Sequence, residues 1–413
     1  MIRLVRLAAS ASVLAIGMAS AANADCGIGS GNVSILGNDF PALQAVVDGA
    51  QACATDSVEV SANLTSDHRD LQVAALTADP SQYSVAVVAN GSIVPLMNAG
   101  LLRPLDDLVE KHGASLQSSQ LVRIEGQVMA VAFMANAQHM FYRSDVLEQA
   151  GVAAPTTLDE VLAAAEAIQS QGIMEHPVAI VSGAGWNLAQ EYVNLYLGHG
   201  GSFFEPGSAA PAINNEAGLA ALEALKGLTS YSNPDYLTFD SNAVQAQWEA
   251  GEVAMMLLWG SRGAGILAGE NAAEGVAETT VLAAAPTAAG ETRPATTLWW
   301  DGFTIAANTS DEDAEASFVA MLNGITPERV AENSGLAVWL AEGYQPTPAS
   351  AGVIASAQGG AAPYPMSPYM GLMHTALGEN LAGFLQGSAS AEETLATIEA
   401  AYTTAARAQG FLN

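Results

Sequence analysis

The stretch Gly126–Arg143, GQVMAVAFMANAQHMFYR, constrains the chain more than any other. A turn signal at Glu125-Gly126 precedes an apolar run, Val128–Phe133, which stops at Met134-Ala135-Asn136. A second apolar run, Met140–Tyr142, resumes just past Gln138, and Arg143-Ser144-Asp145 then opens a short helix that closes at Gly151. This reads as strand, crossing, strand, helix. Two buried strands separated by a few polar residues place the chain's passage from one body to another at Asn136, Gln138 and His139. A ligand held between two bodies would be touched there.

The chain before this point alternates strands and helices. Asn32–Leu36 reads as a strand ending at Asn38-Asp39, followed by a helix from Phe40-Pro41 to about Ala52. Val58–Ala62 is a second strand, ending in a polar turn over Asn63–Asp70, and Leu71–Ala78 is helical. Val85–Val88 is a continuous apolar run, the pattern of a parallel strand buried on both faces, and it ends at Asn90-Gly91. Such a βαβαβ series predicts an open, doubly wound sheet, on which ligands bind beyond the carboxyl ends of the strands. Past the crossing, Thr157 and Glu160 stand at capping-box distance before a helix to Gln171. Val178–Val181 and Val253–Leu258 read as strands, Gly269–Gly290 as an Ala/Glu-rich loop, and Leu298–Asn308 as a strand interrupted by Gly302. Helices are expected over Leu188–Leu197, Asp311–Leu322, His374–Leu385 and Ala391–Ala408.

At 413 residues there is room for two or three domains, and 13 % charged against 50 % apolar residues suits packed globular bodies. Arg3 and Arg6, the apolar run Leu7–Ala19 and Ala22-Asn23-Ala24 form a secretory signal, residues 1–24, with a freely soluble mature chain expected from Asp25. Its removal moves the net charge from −30 to −32. So acidic a surface repels nucleic acid and anionic membranes. In an oxidising compartment the two cysteines, Cys26 and Cys53, are expected to pair, and two are too few for a cysteine-based zinc site.

GQVMAVAFMANAQHMFYRSDVLEQAGVAAPTTLDEVLAAAEAI resembles the hinge segment of family 1 extracellular solute-binding proteins, the carbohydrate receptors of ABC importers. Met129 and Ala132 replace that segment's Tyr and Pro, and Arg143-Ser144 its Asn-Lys. NGSIVPLMNAGLLRPLDDLV, QWEAGEVAMMLLWG, WWDGFTIAANTSDEDAEASFVAML and PYPMSPYMGLMHTAL resemble further segments of the same family, in the same order. The resemblance covers nearly the whole mature chain. It implies an α/β, two-lobed periplasmic binding protein fold of type II, each lobe an open doubly wound sheet with flanking helices. Residues 25–134 plus about 285–340 would form lobe 1, and 135–284 plus about 341–413 lobe 2. Hinge crossings would lie near 133–138 and 281–300. The implied function is capture of a sugar or polyol between the lobes and its delivery to the membrane permease, by a monomer without cofactor or metal.

A neutral sugar offers an apolar face of C–H groups and a rim of hydroxyls. Indole and phenol rings suit the first, and planar amide, carboxylate and guanidinium groups the second. Residues of these kinds follow strands at Asn38, Asp39, Asn90, Gly91, Asn136, Gln138, Trp186, Asn187, Trp259, Arg262, Trp299, Trp300, Asp301, Gly302, Tyr364 and Tyr369. Trp299 and Trp300, adjacent on an extended run, face opposite sides, so at most one points at the ligand. Asn38 and Asp39 have a second reading as helix caps, Asp301-Gly302 as a bulge, and His139 as a packing residue. The family shows Gly-x-Trp where this chain has Trp259-Gly260-Ser261-Arg262.

The sequence carries no G-x-S-x-G, H-E-x-x-H or G-x-x-x-x-G-K. The G-x-G-x-x-A at Gly263–Ala268 lacks the βαβ unit that a dinucleotide site requires. No enzyme is therefore expected. The alternatives are a secreted carbohydrate-active hydrolase or lyase, whose paired carboxylates need no short motif, and a receptor for another solute such as an amine.

Overall fold

The computed structural model describes residues 26–413; the expected signal peptide lies outside them. In chain order the first part comprises β1 (Gly31–Gly37), α1 (Pro41–Gln51), β2 (Val58–Leu64), α2 (His68–Thr77), β3 (Val85–Ala89), α3 (Asn90–Asn98), α4 (Asp106–His112), β4 (Leu121–Ile124) and β5 (Gln127–Asn136). After the crossing come β6 (Gln138–Arg143), α5 (Ser144–Ala150), α6 (Leu158–Ser170), β7 (Val178–Ile180), α7 (Trp186–Gly198), α8 (Glu216–Ser230), α9 (Ser241–Glu249), β8 (Met255–Trp259), α10 (Gly263–Ala268), α11 (Val276–Thr279) and β9 (Thr280–Ala283). The chain ends with β10 (Thr297–Ile305), α12 (Asp311–Asn323), α13 (Pro327–Glu332), β11 (Val338–Trp339), α14 (Ala351–Gln358), β12 (Ala362–Pro363), α15 (Met370–Leu385) and α16 (Ala391–Ala408).

These strands build two sheets. The first runs β11-β5-β10-β3-β1-β2, with β4 joined to β5 and β12 to β10. The second runs β7-β8-β6-β9. β1, β2 and β3 pair in parallel, as the βαβαβ pattern predicts, whereas β10 returns antiparallel between β3 and β5. The all-apolar run of β3 is explained by burial on both faces. Val85 and Val87 join the cluster under α1 and α12, and Ala86 and Val88 join Leu76 and Ile93 on the opposite side. The second sheet is covered likewise, Met140 and Leu257 facing α6 and α7 and Phe141 and Met256 facing Trp248 of α9. The fold is thus the two-lobed α/β arrangement.

Only Ala137 separates β5 of the first sheet from β6 of the second. Asn136 holds that junction: its Oδ1 accepts from the backbone N–H of Ala137 (3.0 Å) and of Ser261 (3.2 Å), and its Nδ2 donates to Ser261 Oγ (3.2 Å). The stretch 269–290, expected to be loop, contains α11 and β9, and β9 stays in the second sheet against β6. The return link therefore begins after Ala283. β4, not foreseen, forms a hairpin with β5 around Glu125 and Gly126, both at positive φ (52° and 87°). α6 carries its capping box as written: Thr157 Oγ1 accepts from Glu160 N–H (3.2 Å) and Glu160 Oε2 from Thr157 N–H (3.1 Å).

Cys26 and Cys53 form a disulfide, with Cα atoms 5.4 Å apart, that fastens the described N-terminus to the residues following α1.

Candidate functional site in the cleft between the lobes

α2 begins at His68, three residues earlier than the sequence suggested, and this start puts Arg69 just past the carboxyl end of β2. The guanidinium Cζ of Arg69 lies 4.2 Å from the ring centroid of Trp186, which opens α7 on the other lobe. Such a cation–π contact is favoured by the ring's negative face. Trp186 is also stacked on His374 of α15, centroids 4.9 Å apart and 25° between planes. Trp299 of β10 meets the edge of Trp186 (5.8 Å), Trp259 at the end of β8 (5.8 Å) and Tyr364 (4.3 Å). The tryptophans come from both sheets, and Trp259 and Trp299 lie at strand ends that flank the crossing.

His374 is neutral in this setting. Burial pushes its pKa down to about 4. Its Nε2–H donates to the Trp186 carbonyl (3.0 Å) and its Nδ1 accepts from the Tyr364 hydroxyl (2.9 Å). This tautomer fixes both rings against α15. Gly91, in the first turn of α3, completes the wall: a Cβ there would lie 3.5 Å from Trp299 and 3.6 Å from Tyr364.

Arg69 and Asp301 give the cleft its charge. Desolvation lowers the guanidinium's pKa and lifts Asp301 to about 6, and in each case the other residue's charge opposes the shift. Both nevertheless keep accessible surface. Neither side chain makes a hydrogen bond or a close ion pair among the described residues, so donors and an acceptor stand free there.

A buried polar chain lies beneath Trp299. Its indole N–H donates to Thr297 Oγ1 (2.8 Å), which donates to Asn194 Oδ1 (2.8 Å); Gln190 Nε2 bonds both (2.9 Å each). Asn194 Nδ2 donates to Gln138 Oε1, and Gln138 Nε2 to Glu191 (2.7 Å). Burial raises the Glu191 pKa to about 8.

Of the residues singled out from sequence, the cleft brings together Trp186, Trp259, Trp299, Tyr364, Asp301 and Gly91. Asn187 stands beside Trp186 in the first turn of α7, half-buried. The others are engaged elsewhere. Asn38 Oδ1 accepts from Asp39 N–H (2.8 Å), and exposed Asp39 accepts from Gln44 (2.6 Å), so neither caps α1. Asn90 Oδ1 takes the backbone N–H of Trp300 (2.8 Å). Gln138 is spent in the polar chain, and Asn136 at the junction. Arg262 donates to Gln245 (3.2 Å) on α9. Trp300 packs against the Leu76–Ile93 cluster of the first lobe. Gly302 follows a register shift in β10, where a Cβ would come within 2.5 Å of the Val131 carbonyl. Tyr369 donates to the Ser208 carbonyl (2.9 Å) and packs on Phe204 at 4.6 Å. His139 is fully buried and stacked on Phe141 at 4.4 Å.

Sequence reasoning missed Arg69 and His374. The signal for Arg69 was its place after a strand's carboxyl end. The signal for His374 was its spacing in a helix that begins at Met370, four residues before the expected start.

Residues 36–324 match the profile of the bacterial extracellular solute-binding protein family. The chain belongs to that family. A curated Deinococcus radiodurans protein, described as a probable ABC transporter-binding protein, is 26 % identical over 270 residues. That match spans 62 % of this chain and 61 % of the relative. Among solved structures, maltose-bound T. maritima MalE3 superposes with a TM-score of 0.78 at 17 % identity, covering 91 % of this chain and all of that one. A ribitol complex from Agrobacterium radiobacter K84 gives 0.78 at 18 %, over 92 % and 99 %. A D-mannitol complex from Agrobacterium vitis S4 gives 0.74 at 18 %, over 92 % and 99 %. At these identities the likeness establishes the two-lobed solute-binding protein fold. Extracellular solute-binding proteins work outside the cytoplasm, which accords with the disulfide.

Proposed function

We propose that this chain is a periplasmic receptor that captures a neutral sugar or polyol between its lobes and delivers it to the membrane subunits of an ABC importer. The observation that carries the reading is the cluster itself: Arg69 donors and the Asp301 carboxylate, without hydrogen-bond partners among the described residues, are grouped with Trp186, Trp259, Trp299 and Tyr364. Hydroxyl pairs satisfy both charged groups at once, and C–H faces satisfy the rings. One positive and one negative group together favour an uncharged ligand. An unpaired polar group in such a place costs about 1–3 kcal/mol, so a ligand lacking hydroxyls is rejected. The solved relatives named for maltose, ribitol and D-mannitol support the same class.

Walls from both lobes complete the site only when the lobes are together, so binding biases the hinge toward closure. The permease would read the closed surface. A thermal-shift screen of ligand-stripped protein against sugars, polyols and amines tests the proposal. A carbohydrate at 100 times its dissociation constant adds roughly 2.7 kcal/mol. Stabilisation by amines alone, or turnover of a sugar during incubation, would refute it.

A further inference from the structure

We propose that the ligand is a single sugar ring or an open-chain polyol of similar size, and that the cleft excludes oligosaccharides. The inference rests on the carbohydrate reading above and narrows it. A receptor for a chain of sugars needs successive aromatic platforms along a groove with an open end, because each ring presents its own C–H face.

This chain has six tryptophans, and the structure assigns each a place. Trp248 is fully buried and bonded to Thr280 (3.1 Å). Trp339 packs on Phe133 and donates to the Asn333 carbonyl (2.9 Å). Trp300 belongs to the packing of the first lobe. Trp299 is 4 % exposed, pressed on Tyr364. Trp186 is engaged by the Arg69 guanidinium and stacked on His374. Trp259 is the one cluster indole that keeps accessible surface and carries neither a cation nor a parallel ring among the described residues. One free platform takes one ring.

Asn98 Nδ2 on α3 donates to the Pro368 carbonyl (3.0 Å) ahead of α15, a bond between the lobes at the surface. Tyr369, singled out from the sequence as a possible platform, is turned onto Ser208 and Phe204.

Isothermal titration of the ligand-stripped protein decides the question. The panel is D-glucose, D-galactose, D-mannose, D-xylose, D-mannitol and ribitol, set against maltose, maltotriose, cellobiose and lactose. The expected result is at least one monosaccharide or polyol bound 100-fold or more tightly than any di- or trisaccharide. A disaccharide bound as tightly as the best single unit overturns the size limit while leaving the carbohydrate reading standing. Binding to none of the panel overturns both. Gly91 supplies an independent arm. Gly91→Leu, folded by circular dichroism, should lose at least tenfold in affinity for the best ligand; unchanged affinity would place the ligand away from Trp299 and Tyr364.

Discussion

Glu191 offers a sharp test of the buried polar chain. The side chain is 2 % exposed, accepts from Gln138 Nε2 at 2.7 Å, and has its pKa raised by burial from 4.5 to about 8. Below pH 4.5 the group is protonated in both the folded and the unfolded chain and contributes no pH dependence. As pH rises from there, the unfolded chain ionises and the folded chain does not, so stability falls. The loss levels off above about pH 8, where both forms are ionised. At pH 7 the two and a half units above the unfolded value correspond to about 3 kcal/mol. Glu191→Gln keeps an acceptor for Gln138 and adds no ionisation, so it should be more stable than wild type by up to that amount at pH 7 and equal to it near pH 4. For a chain of this length, whose unfolding entropy is about 0.8 kcal/mol/K, the gain is roughly 4 °C in Tm. Differential scanning calorimetry at half-unit steps from pH 4 to 8.5 reads this directly. Parallel curves for the two proteins, or a variant less stable at every pH, would show that the carboxyl is ionised in the fold and that the argument from burial is wrong.

Other perturbations follow from named contacts. Breaking the disulfide with Cys26→Ser and Cys53→Ser, which opens a loop of 27 residues' separation, should cost about 3–4 kcal/mol and be visible as a lower denaturation midpoint; an unchanged midpoint would mean that the link constrains nothing. Gly302→Ala forces a Cβ against the Val131 carbonyl and should destabilise by about 1–3 kcal/mol, measured by urea unfolding, because backbone cannot step aside as a side-chain tip can. His374→Phe keeps a ring on Trp186 but leaves the Tyr364 hydroxyl without its acceptor, and should weaken ligand affinity by roughly tenfold in titration while changing Tm little.

Much of the architecture was legible because its signals are period and punctuation. Val85–Val88 could hardly be anything but a strand buried on both faces, and the Thr157/Glu160 pair marked a helix start that the structure reproduces to the residue. Weak signals failed where they were short. Leu121–Ile124 has only four residues, one of them Arg123, and its strand character comes from its hairpin with β5. The cleft was legible in kind and less so in detail. The sequence located aromatic and amide groups after strands, but could not tell which amides the backbone would claim: Asn90, Asn136 and Gln138 each satisfy structure first. Adjacent Trp299 and Trp300 had to diverge, and packing decided which went where. Arg69 was passed over because Asn63–Asp70 reads as a polar turn, whereas tertiary packing of His68 and Gln72 extends α2 backward to include it.

The most direct measurement is the Kd of the best-binding carbohydrate, by isothermal titration, in wild type and in the double variant Arg69→Met, Asp301→Asn. Each change removes a charge-assisted hydrogen bond worth about 1.5–3 kcal/mol. Binding should weaken by at least 100-fold with the thermal stability of the ligand-free proteins within a few degrees of each other. The same Kd in both proteins would contradict a ligand held between these two side chains.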